Sequence, residues 1–412
     1  MTQRGIDGSP LVMRSVGVLL LATLVLAALV TACQSDEPEP APPAAPTAQA
    51  GSATQEATAE AEPDATPVTP TATEDDASDD AAAAQSEDDE DGAAAEQTAE
   101  PAPAARSLEG VRGIVDPTNT GWPREVEGLN GIVTIAAKPA RIITASVGHD
   151  EMVLALVPNE RLVAVGSSTK NPTYSNVAHL VEDKAEISRD PEVILAETPD
   201  IVATSPYFPA EAVDALQRAG ITVIQTELRN TPEDRINNIV LLGYILGEEE
   251  RAFEFAHEVR SRFEALTAVT STKQSRPSVL ALTRYSDSLW VAGANSTESG
   301  VILAAGGTDA AGAAGLEGHQ TTSLEGVIAI APEVIIIAQP LEFGAEELRQ
   351  SLLETEALAE VPAIKNGAVH VVNSRHFTTL SFWNVRGAED LARILWPDDF
   401  PEPAAESFSL AE

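Results

Sequence analysis

Cysteine is almost absent from this chain of 412 residues, which contains only Cys33. Since there is no second cysteine, the chain cannot form an intramolecular disulfide. The same scarcity excludes a cysteine nucleophile anywhere after position 33.

Basic residues are also scarce, with 25 Lys and Arg against 64 Asp and Glu and a formal net charge of −39. Nineteen of the acidic residues lie in 34–105, so the rest of the chain still has a formal charge of −20. Proteins that bind nucleic acid neutralise phosphates with clustered Lys and Arg, and the sequence has no such cluster. Nucleic acid is therefore excluded as the partner.

Long hydrophobic runs are limited to one, Val16–Val30, which follows Arg4 and Arg14 and ends in Val30-Thr31-Ala32-Cys33. A basic start and an apolar core of this length are typical of an export signal. The end of the run resembles a bacterial lipobox, in which the cysteine is lipidated and becomes the mature N-terminus. We therefore expect residues 1–32 to be a lipoprotein signal peptide and Cys33 to anchor the protein on the outer face of the cytoplasmic membrane or in the periplasm. The alternative is an uncleaved membrane helix with an incidental cysteine.

Residues 33–105 lack Lys, Arg and aromatic side chains and consist mainly of Ala, Pro, Thr, Glu and Asp. Such a segment cannot bury enough apolar surface to offset the entropy of ordering it. Repulsion between its acidic groups should extend it. The composition predicts a disordered acidic tether, and cation binding by the acidic run is the alternative.

A thirteen-residue pattern occurs twice, as DPEVILAETPDIV (190–202) and SLEGVIAIAPEVI (323–335). Each copy predicts a short helix with a capping residue at its start, a proline that ends it, and a β-branched run that is typical of a buried parallel strand. Glu192 and Glu325 occupy matching positions in the two copies. Two copies of one supersecondary unit indicate two similar lobes.

Around the first copy, strand and helix patterns alternate, which predicts an α/β protein with largely parallel sheets. The sequence before it begins with REVEGLNGIVTI, in which Asn130-Gly131 favours a hairpin. The predicted strands are 141–146, 162–166, 201–205 and 221–226, and the predicted helices are 150–156, 191–197 and 210–219. The alternation resumes with strands at 278–282 and 368–372 and a closing helix near 384–396.

Residues 231–275 have no strand signal. Thr231 is a predicted cap with Pro232 behind it, and Gly247 should divide the stretch into two helices, the second over about 248–269. A long helix here would span between lobes. The predicted division is a first lobe over 106–230, connecting helices over 231–275 and a second lobe over 276–412.

Taken in order, the segments RIITASVGHDEMVLAL, LVAVG, DPEVILAETPDIVATS, ITVIQTE and SLEGVIAIAPEVIII resemble the periplasmic binding proteins of iron-siderophore, haem and vitamin B12 importers. The resemblance covers roughly 124–398. It implies two Rossmann-like lobes joined by a long helix, with the ligand in the cleft between them. The acidic tether is longer than the family pattern. Its length affects how far the folded part can extend from the membrane, and not which ligand is bound.

The same resemblance gives the repeat a role. In this family a Glu on each lobe pairs with arginines of the two permease subunits, and the matching residues here are Glu192 and Glu325. The implied partners are an ABC permease dimer with its ATPase subunits, for a binding protein that acts as a monomer. A Glu in the first turn of a helix also interacts favourably with the helix dipole, which is the alternative explanation.

The implied ligand is an iron chelate, a ferric siderophore in the first place, with haem or cobalamin as the alternatives. Ligands of open α/β sheets lie beyond the carboxyl ends of the strands, and eight of the 17 aromatic residues fall in predicted loops there. Besides Tyr174, Phe377 and Phe382, the loops contain the residues that we expect in the cleft: His149, Tyr207, Phe208, Arg284, Tyr285, Trp290, His319, His376 and Trp383.

If the ligand is haem, His149, His319 or Tyr207 could ligate its iron. The sequence has no closely spaced His pair or His and Asp cluster for a bare metal ion, so we expect no direct metal site and no intrinsic cofactor. Arg284, Arg375 and Arg386 could meet a carboxylate or catecholate.

Enzymatic motifs are lacking. The glycines of AAGGTDAAGAAG are not followed by Lys-Ser or Lys-Thr, and neither G-x-G-x-x-G nor G-x-S-x-G occurs. We therefore expect a transport receptor rather than an enzyme. A lipid-anchored sensor that works without a permease and an exported hydrolase are the alternatives.

Overall fold

The computed structural model describes residues 106–402 and 407–411. The predicted signal peptide, Cys33 and the acidic tether lie outside the described residues. Within them, the strands are β1 (Arg124–Gly128), β2 (Gly131–Ile135), β3 (Ile142–Ile143), β4 (Ala164–Gly166), β5 (Ala185–Ile187), β6 (Ile201–Thr204), β7 (Thr222–Gln225), β8 (Ser278–Tyr285), β9 (Ser288–Ala292), β10 (Thr308–Asp309), β11 (His319–Thr322), β12 (Val334–Ile337) and β13 (Val369–Val371).

The α-helices of the same residues alternate with these strands. They are α1 (Val147–Leu156), α2 (Ser167–Lys170), α3 (Pro191–Ala196), α4 (Ala210–Arg218), α5 (Pro232–Leu246), α6 (Glu249–Thr270), α7 (Thr297–Ala304), α8 (Ala310–Ala313), α9 (Leu324–Ile330), α10 (Ala345–Glu354), α11 (Pro362–Lys365), α12 (Ser374–Phe377) and α13 (Asn384–Leu395). No helix of this described part is both long and apolar enough to cross a membrane.

The elements from β3 to β7, which we call the first lobe, surround a parallel sheet of order β3-β6-β7, with β4 and β5 paired in parallel beside it. Its strands are buried on both faces. Because successive residues of a strand point to opposite sides of the sheet, neighbouring residues join different cores. Ile143 and Val202 pack with the core under α3 and α4, whereas Ile142 and Ile201 join the core of α1, α5 and α6.

The elements from β8 to α13, which we call the second lobe, surround a six-stranded mixed sheet of order β11-β9-β8-β12-β13, with β10 beside β8. β8, β12 and β13 are parallel, while β9 and β11 are antiparallel to their neighbours. Leu280 and Ile335 face the core of α10 and α11, and Val279 and Ile336 face the core that contains α6 and α13. The repeated sequence pattern thus forms α3 with β6 and α9 with β12, and each of these strands lies inside its sheet.

The helices α5 and α6 connect the lobes, and α6, with 22 residues, is the long helix that the resemblance implied. Thr231 caps α5 in a capping box with Asp234, and Gly247 ends it in the left-handed conformation with φ of 71°. The helices pack closely, since a Cβ on Gly243 would lie 2.2 Å from the Cβ of Ala252. The predicted division at Gly247 is confirmed.

The C-terminal residues 407–411 fold back onto the helices. The Phe408 ring lies 4.8 Å from that of Phe382 and 4.9 Å from that of Trp383, both in edge-to-face geometry. The Arg262 guanidinium carbon lies 4.2 Å from the centroid of the Phe408 ring. The Ala411 amide donates to the Leu154 carbonyl of α1 at 3.2 Å. This segment therefore contacts α1 of the first lobe and the residues just before the last helix of the second.

Most predicted elements are present with shifted ends. The hairpin is confirmed, but Gly128 pairs with Gly131, so its turn is Leu129-Asn130 and Gly131 begins β2. α1 begins at Val147, three residues earlier than predicted. The prediction that Arg284, Tyr285, Trp290 and His319 lie in loops is wrong, because they lie on β8, β9 and β11 of the second sheet.

Candidate functional site

A cavity of about 530 Å³ opens where strands of the first lobe end. Loops that follow β3, β4, β5 and β6 form one wall, and the segment between α12 and α13 forms the other. The lining residues are 145–148, 166–169, 174, 187–189, 205, 207 and 378–380. Because the two walls come from different lobes, this cavity is the cleft expected from the fold.

Two phenols dominate the cavity. Tyr207 is 68% exposed and Tyr174 is 44% exposed, whereas most other lining side chains are small alcohols such as Ser146, Ser167 and Ser205. Arg189 is the one cationic side chain among the lining residues. The cavity therefore offers two phenolic oxygens, many hydroxyls and little positive charge.

A second cavity, of about 480 Å³, lies between residues 172–173 of the first lobe and the loops that follow β12 and β13. At this side the Tyr174 ring approaches the Phe343 ring of the second lobe, with 6.1 Å between their centroids. Phe343 and its neighbour Leu341 are largely exposed. Aromatic and aliphatic surface is thus available on both lobes at the cleft.

Three consecutive titratable residues of α1, His149, Asp150 and Glu151, are buried behind the cavity. His149 uses both ring nitrogens, Nδ1 with Ser146 Oγ at 3.1 Å and Nε2 with Thr226 Oγ1 at 2.7 Å. Burial, with the nearby Arg235 charge, lowers the pKa of His149 to about 4. This histidine is neutral at pH 7 and has no free nitrogen for a ligand.

Asp150 accepts hydrogen bonds from Thr144 Oγ1 at 2.5 Å and Thr169 Oγ1 at 2.6 Å, which join two loops of the cavity wall. Burial raises the pKa of Asp150 to about 7. The two threonine hydroxyls act to lower this pKa, and the adjacent Glu151 acts to raise it. Because the pKa of Asp150 is higher in the folded state than its ordinary value of 3.8, the folded state holds the proton more tightly. The stability that this provides is fully present below about pH 4 and is lost as the pH rises to about 7.

Replacing Asp150 by Asn should therefore stabilise the protein at pH 8 and leave it nearly unchanged at pH 4. The gain at pH 8 is expected to be on the order of 3 kcal/mol, because the variant avoids ionising a buried carboxyl, while one threonine hydroxyl accepts from its amide NH2 group and the other donates to its amide oxygen. Urea unfolding of both proteins between pH 4 and 8 measures it. A variant that is less stable than the parent at pH 8 would show that the ionised carboxylate is favoured by its hydroxyl bonds.

Arg235 of α5 is also buried, beneath the same cavity. Its guanidinium donates to the Leu380 carbonyl at 2.6 Å and to Asn230 Oδ1 at 2.7 Å, while its Nε has no hydrogen-bond partner. Burial lowers its pKa to about 10, with Asp234 and Tyr207 acting in the opposite direction. The side chain remains charged at pH 7, so it places a cation near the Tyr207 phenol.

Four of the other residues expected in the cleft lie on strands of the second sheet. Tyr285 is 79% exposed at the carboxyl end of β8, beside Arg284. His319 pairs with Ala292 in the sheet, about four residues before the carboxyl end of β8. The Nε2 of His319 lies 3.1 Å from the buried Glu298 carboxylate, and this hydrogen bond raises the pKa of His319. Trp290 lies on β9, and its buried Nε1 has no partner.

Phe208, His376 and Trp383 pack inside the protein. Phe208 belongs to the first-lobe core under α3 and α4. His376 stacks on Trp383 with 5.9 Å between ring centroids, and its Nδ1 lies 3.3 Å from Asp390. None of the three lines either cavity of the cleft.

The other two arginines named from the sequence also differ in position. Arg386 is buried in an ion pair with Glu389. Arg375 lines the second cavity and donates to the Ser175 carbonyl at 3.3 Å.

Of the residues named from the sequence as ligand contacts, the first cavity thus contains Tyr207 alone. The segment 378–380 belongs to the predicted cleft loop that contains Phe377, Phe382 and Trp383, although none of its own residues was named as a contact. Sequence reasoning missed Arg189, which could have been found from its position after a strand and before the capped helix α3.

The repeated glutamates occupy equivalent places. Glu192 and Glu325 are each the second residue of a short helix, α3 and α9, and both are exposed. Asp190 caps the Glu192 amide at 2.9 Å, and Ser323 caps the Gly326 amide at 3.3 Å. Hydrogen bonding to its own backbone and to Ser323 lowers the pKa of Glu325. Neither residue lines the cleft.

A cavity of about 390 Å³ lies elsewhere, between residues 106–112 and the helices α5 and α6. Its charged groups are largely paired, as in Arg106 with Glu254 and Arg112 with Asp234, and it is far from the strand ends. In the described part of the chain, no group of three or more His, Cys, Asp or Glu side chains could hold a metal ion.

Comparison with known proteins decides the family, since residues 142–375 match the periplasmic binding protein family over more than half of the chain. The chain belongs to that family. Among curated proteins, this periplasmic binding protein is 24% identical over 281 residues to the uncharacterized ABC transporter substrate-binding lipoprotein YvrC of Bacillus subtilis (strain 168), covering 67% of this chain and 86% of YvrC.

Solved structures share its fold. The periplasmic heme-binding protein RhuT of Roseiflexus sp. RS-1, in apo form, is 24% identical with a TM-score of 0.55, covering 63% of this chain and 98% of RhuT. A periplasmic heme binding protein from Pseudomonas aeruginosa is 25% identical with a TM-score of 0.54, covering 65% and 95% of the two chains. The expected two-lobe α/β fold is confirmed.

Membership fixes the general role. The periplasmic binding protein is the substrate-binding component of an ABC importer, which implies a permease, an ATPase and a small-molecule ligand as partners. Proteins of this family work outside the cytoplasm and are in general not enzymes.

Proposed function

We propose that this protein captures an iron chelate in the cleft between its lobes and delivers it to a dimeric permease. The observation that carries the proposal is Tyr207, an exposed phenol in a cavity at the carboxyl ends of parallel strands. A phenolate oxygen is an iron ligand in haem proteins.

Haem is the chelate that the geometry supports best. Its flat apolar macrocycle suits the exposed rings of Tyr174 and Phe343, which lie 6.1 Å apart on opposite lobes. An axial bond from Tyr207 would fix the iron. The similar proteins from Roseiflexus and Pseudomonas aeruginosa are themselves heme-binding, which is consistent with this choice.

A ferric siderophore, the ligand favoured by the sequence, is the second candidate. Arg189 and the hydroxyls of the cavity wall favour it, since a polar chelate needs hydrogen-bond donors. A trianionic catecholate would meet only one cationic lining side chain in the first cavity, which places it behind haem.

The test is a titration of the full chain with hemin, ferric hydroxamate, ferric catecholate, ferric citrate and cobalamin. Hemin should produce a saturable Soret band and raise the melting temperature by mass action. A rise with a siderophore or cobalamin, together with no change on adding hemin, would overturn the choice of haem. No response to any of the five would overturn the proposal of an iron chelate.

We further propose that Glu192 and Glu325 contact the two permease subunits, one from each lobe. The support is their equivalent, exposed positions in the repeated helix and strand units. We propose domain boundaries that extend the first lobe to residues 106–230 and the second lobe to residues 276–412, with residues 231–275 as the connector, and one monomer serves one permease dimer.

The proposed anchor is Cys33, with residues 1–32 as a removed signal peptide and 33–105 as the tether. The curated relative from Bacillus subtilis is a lipoprotein, which supports this assignment.

Replacing Cys33 by Ala should move the protein from the membrane fraction to the soluble fraction without changing its melting temperature, because the composition of residues 33–105 predicts that they add nothing to the core of the lobes. Fractionation after a high-salt wash, with the parent protein beside it, measures the change. A variant that still sediments with membranes would contradict lipid attachment at this residue.

A further inference from the structure

One buried carboxylate joins the two walls of the cleft. Glu151, on α1 of the first lobe, accepts bonds on Oε2 from Thr379 Oγ1 at 2.8 Å and Ser381 Oγ at 2.5 Å, both in the segment between α12 and α13. Its Oε1 accepts from the amide and the side chain of Asn176 at 3.0 and 2.9 Å. Each oxygen therefore has two donors, and the donors belong to different lobes.

The groups that Glu151 holds are close to the ligand surface. Thr379 lines the first cavity, and Asn176 follows the exposed Tyr174 by two residues. The Asn176 side chain also donates to the Arg375 carbonyl at 3.2 Å. One carboxylate thus fixes the segment that carries a cavity phenol against the opposite wall.

We propose that Glu151 is a positioning residue, which sets the separation of the lobes in the free protein and so preorganises the cleft for its ligand. The part of this proposal that concerns lobe separation depends only on the contacts of Glu151. The part that concerns ligand affinity rests on the proposed function. Preorganisation increases affinity because less conformational freedom is lost on binding.

Asp150, the preceding residue, provides a matched comparison. It is a buried carboxyl on the same helix, and burial raises the pKa of both residues. Its two partners, Thr144 and Thr169, lie within the first lobe. Changing Asp150 therefore perturbs a buried carboxyl without removing a link between lobes.

The experiment measures lobe separation without any ligand. In the full chain carrying Cys33→Ala, spin labels are attached to Glu211→Cys on α4 and Glu347→Cys on α10, two exposed positions on different lobes. Double electron–electron resonance then gives the distance distribution for Glu151→Ala, Glu151→Gln and Asp150→Asn. We expect a broader distribution for Glu151→Ala, a smaller broadening for Glu151→Gln, and none for Asp150→Asn.

Hemin titration of the same variants tests the second half. Glu151→Ala should weaken binding by about tenfold, the cost of losing a buried hydrogen-bond link between the lobes. If Glu151→Ala does not fold, the pair Thr379→Val and Ser381→Ala removes only the bonds between lobes and should broaden the distribution in the same way.

An unchanged distance distribution in the folded Glu151 variants would overturn the positioning role, whatever the ligand. A broadened distribution with unchanged hemin affinity would overturn its link to binding. A parent protein that binds no hemin would instead contradict the proposed ligand, while the distance result would still decide the role of Glu151 in lobe separation.

Discussion

Replacing Glu192 and Glu325 by Arg should nearly abolish uptake while leaving ligand affinity unchanged. Both residues are exposed at the starts of α3 and α9, away from the cleft, so their loss removes no ligand contact. An exposed ion pair contributes little by itself. At a permease interface, however, a charge that loses its partner is desolvated, and reversal sets like charges against each other.

Transport into vesicles that contain the partner permease, with binding measured in parallel, gives the result. We expect the double Ala variant to lose more than about tenfold in uptake rate and the double Arg variant to lose more still. Each single Arg variant should also transport poorly, because the proposed contact needs both lobes.

The chain offers matched controls for the helix dipole. Glu211 and Glu346 are likewise exposed and second in their helices, α4 and α10, but lie outside the repeated units. Glu211→Arg with Glu346→Arg should transport at the parent rate. If this pair reduces uptake as much as the Glu192 and Glu325 pair, or if neither does, the repeat records duplicated architecture without a docking role.

The second large effect is expected for Tyr207→Phe. Loss of the phenolic oxygen should weaken hemin binding by at least about tenfold, since losing only outer-shell support of a metal ligand already costs that much. The Soret band should shift, because a different group or water would then occupy the axial position. The fold should be unaffected, as the side chain is 68% exposed.

Tyr174→Phe is the control, because it removes the same atom from the other phenol of the cavity. We expect its Soret band to match that of the parent and its affinity to change little, since the ring that faces Phe343 is kept. An altered spectrum in Tyr174→Phe but not in Tyr207→Phe would assign the iron to Tyr174. Parent-like spectra in both would exclude a tyrosine ligand.

Local chemistry explains which parts of the fold could be predicted. Thr231, Pro232 and Gly247 specify where α5 begins and ends through capping and a left-handed turn, and these need no tertiary contact. The capping residue and the proline of each repeat unit likewise specify where α3 and α9 begin and end without any tertiary contact. β9 and β11 were missed because an antiparallel extension of a sheet edge depends on a neighbouring strand rather than on a strong pattern.

The cleft was harder to predict because burial depends on partners that are distant in sequence. His149 looked like a ligand in a loop, yet α1 begins earlier and Thr226, 77 residues away, takes its Nε2. Phe208 follows a strand as expected but turns into the core under α4. Tyr207, its neighbour, points the other way and remains exposed. Adjacent residues thus have opposite fates that no single-sequence pattern distinguishes.

The packing of Phe408 has a practical consequence for protein engineering. Its ring closes an aromatic group with Phe382 and Trp383 only four residues before the end of the chain. Truncating the chain at residue 402 would expose these rings and remove the Ala411 bond to α1. Affinity handles and reporter fusions are therefore better placed within residues 33–105 than beside residues 407–411.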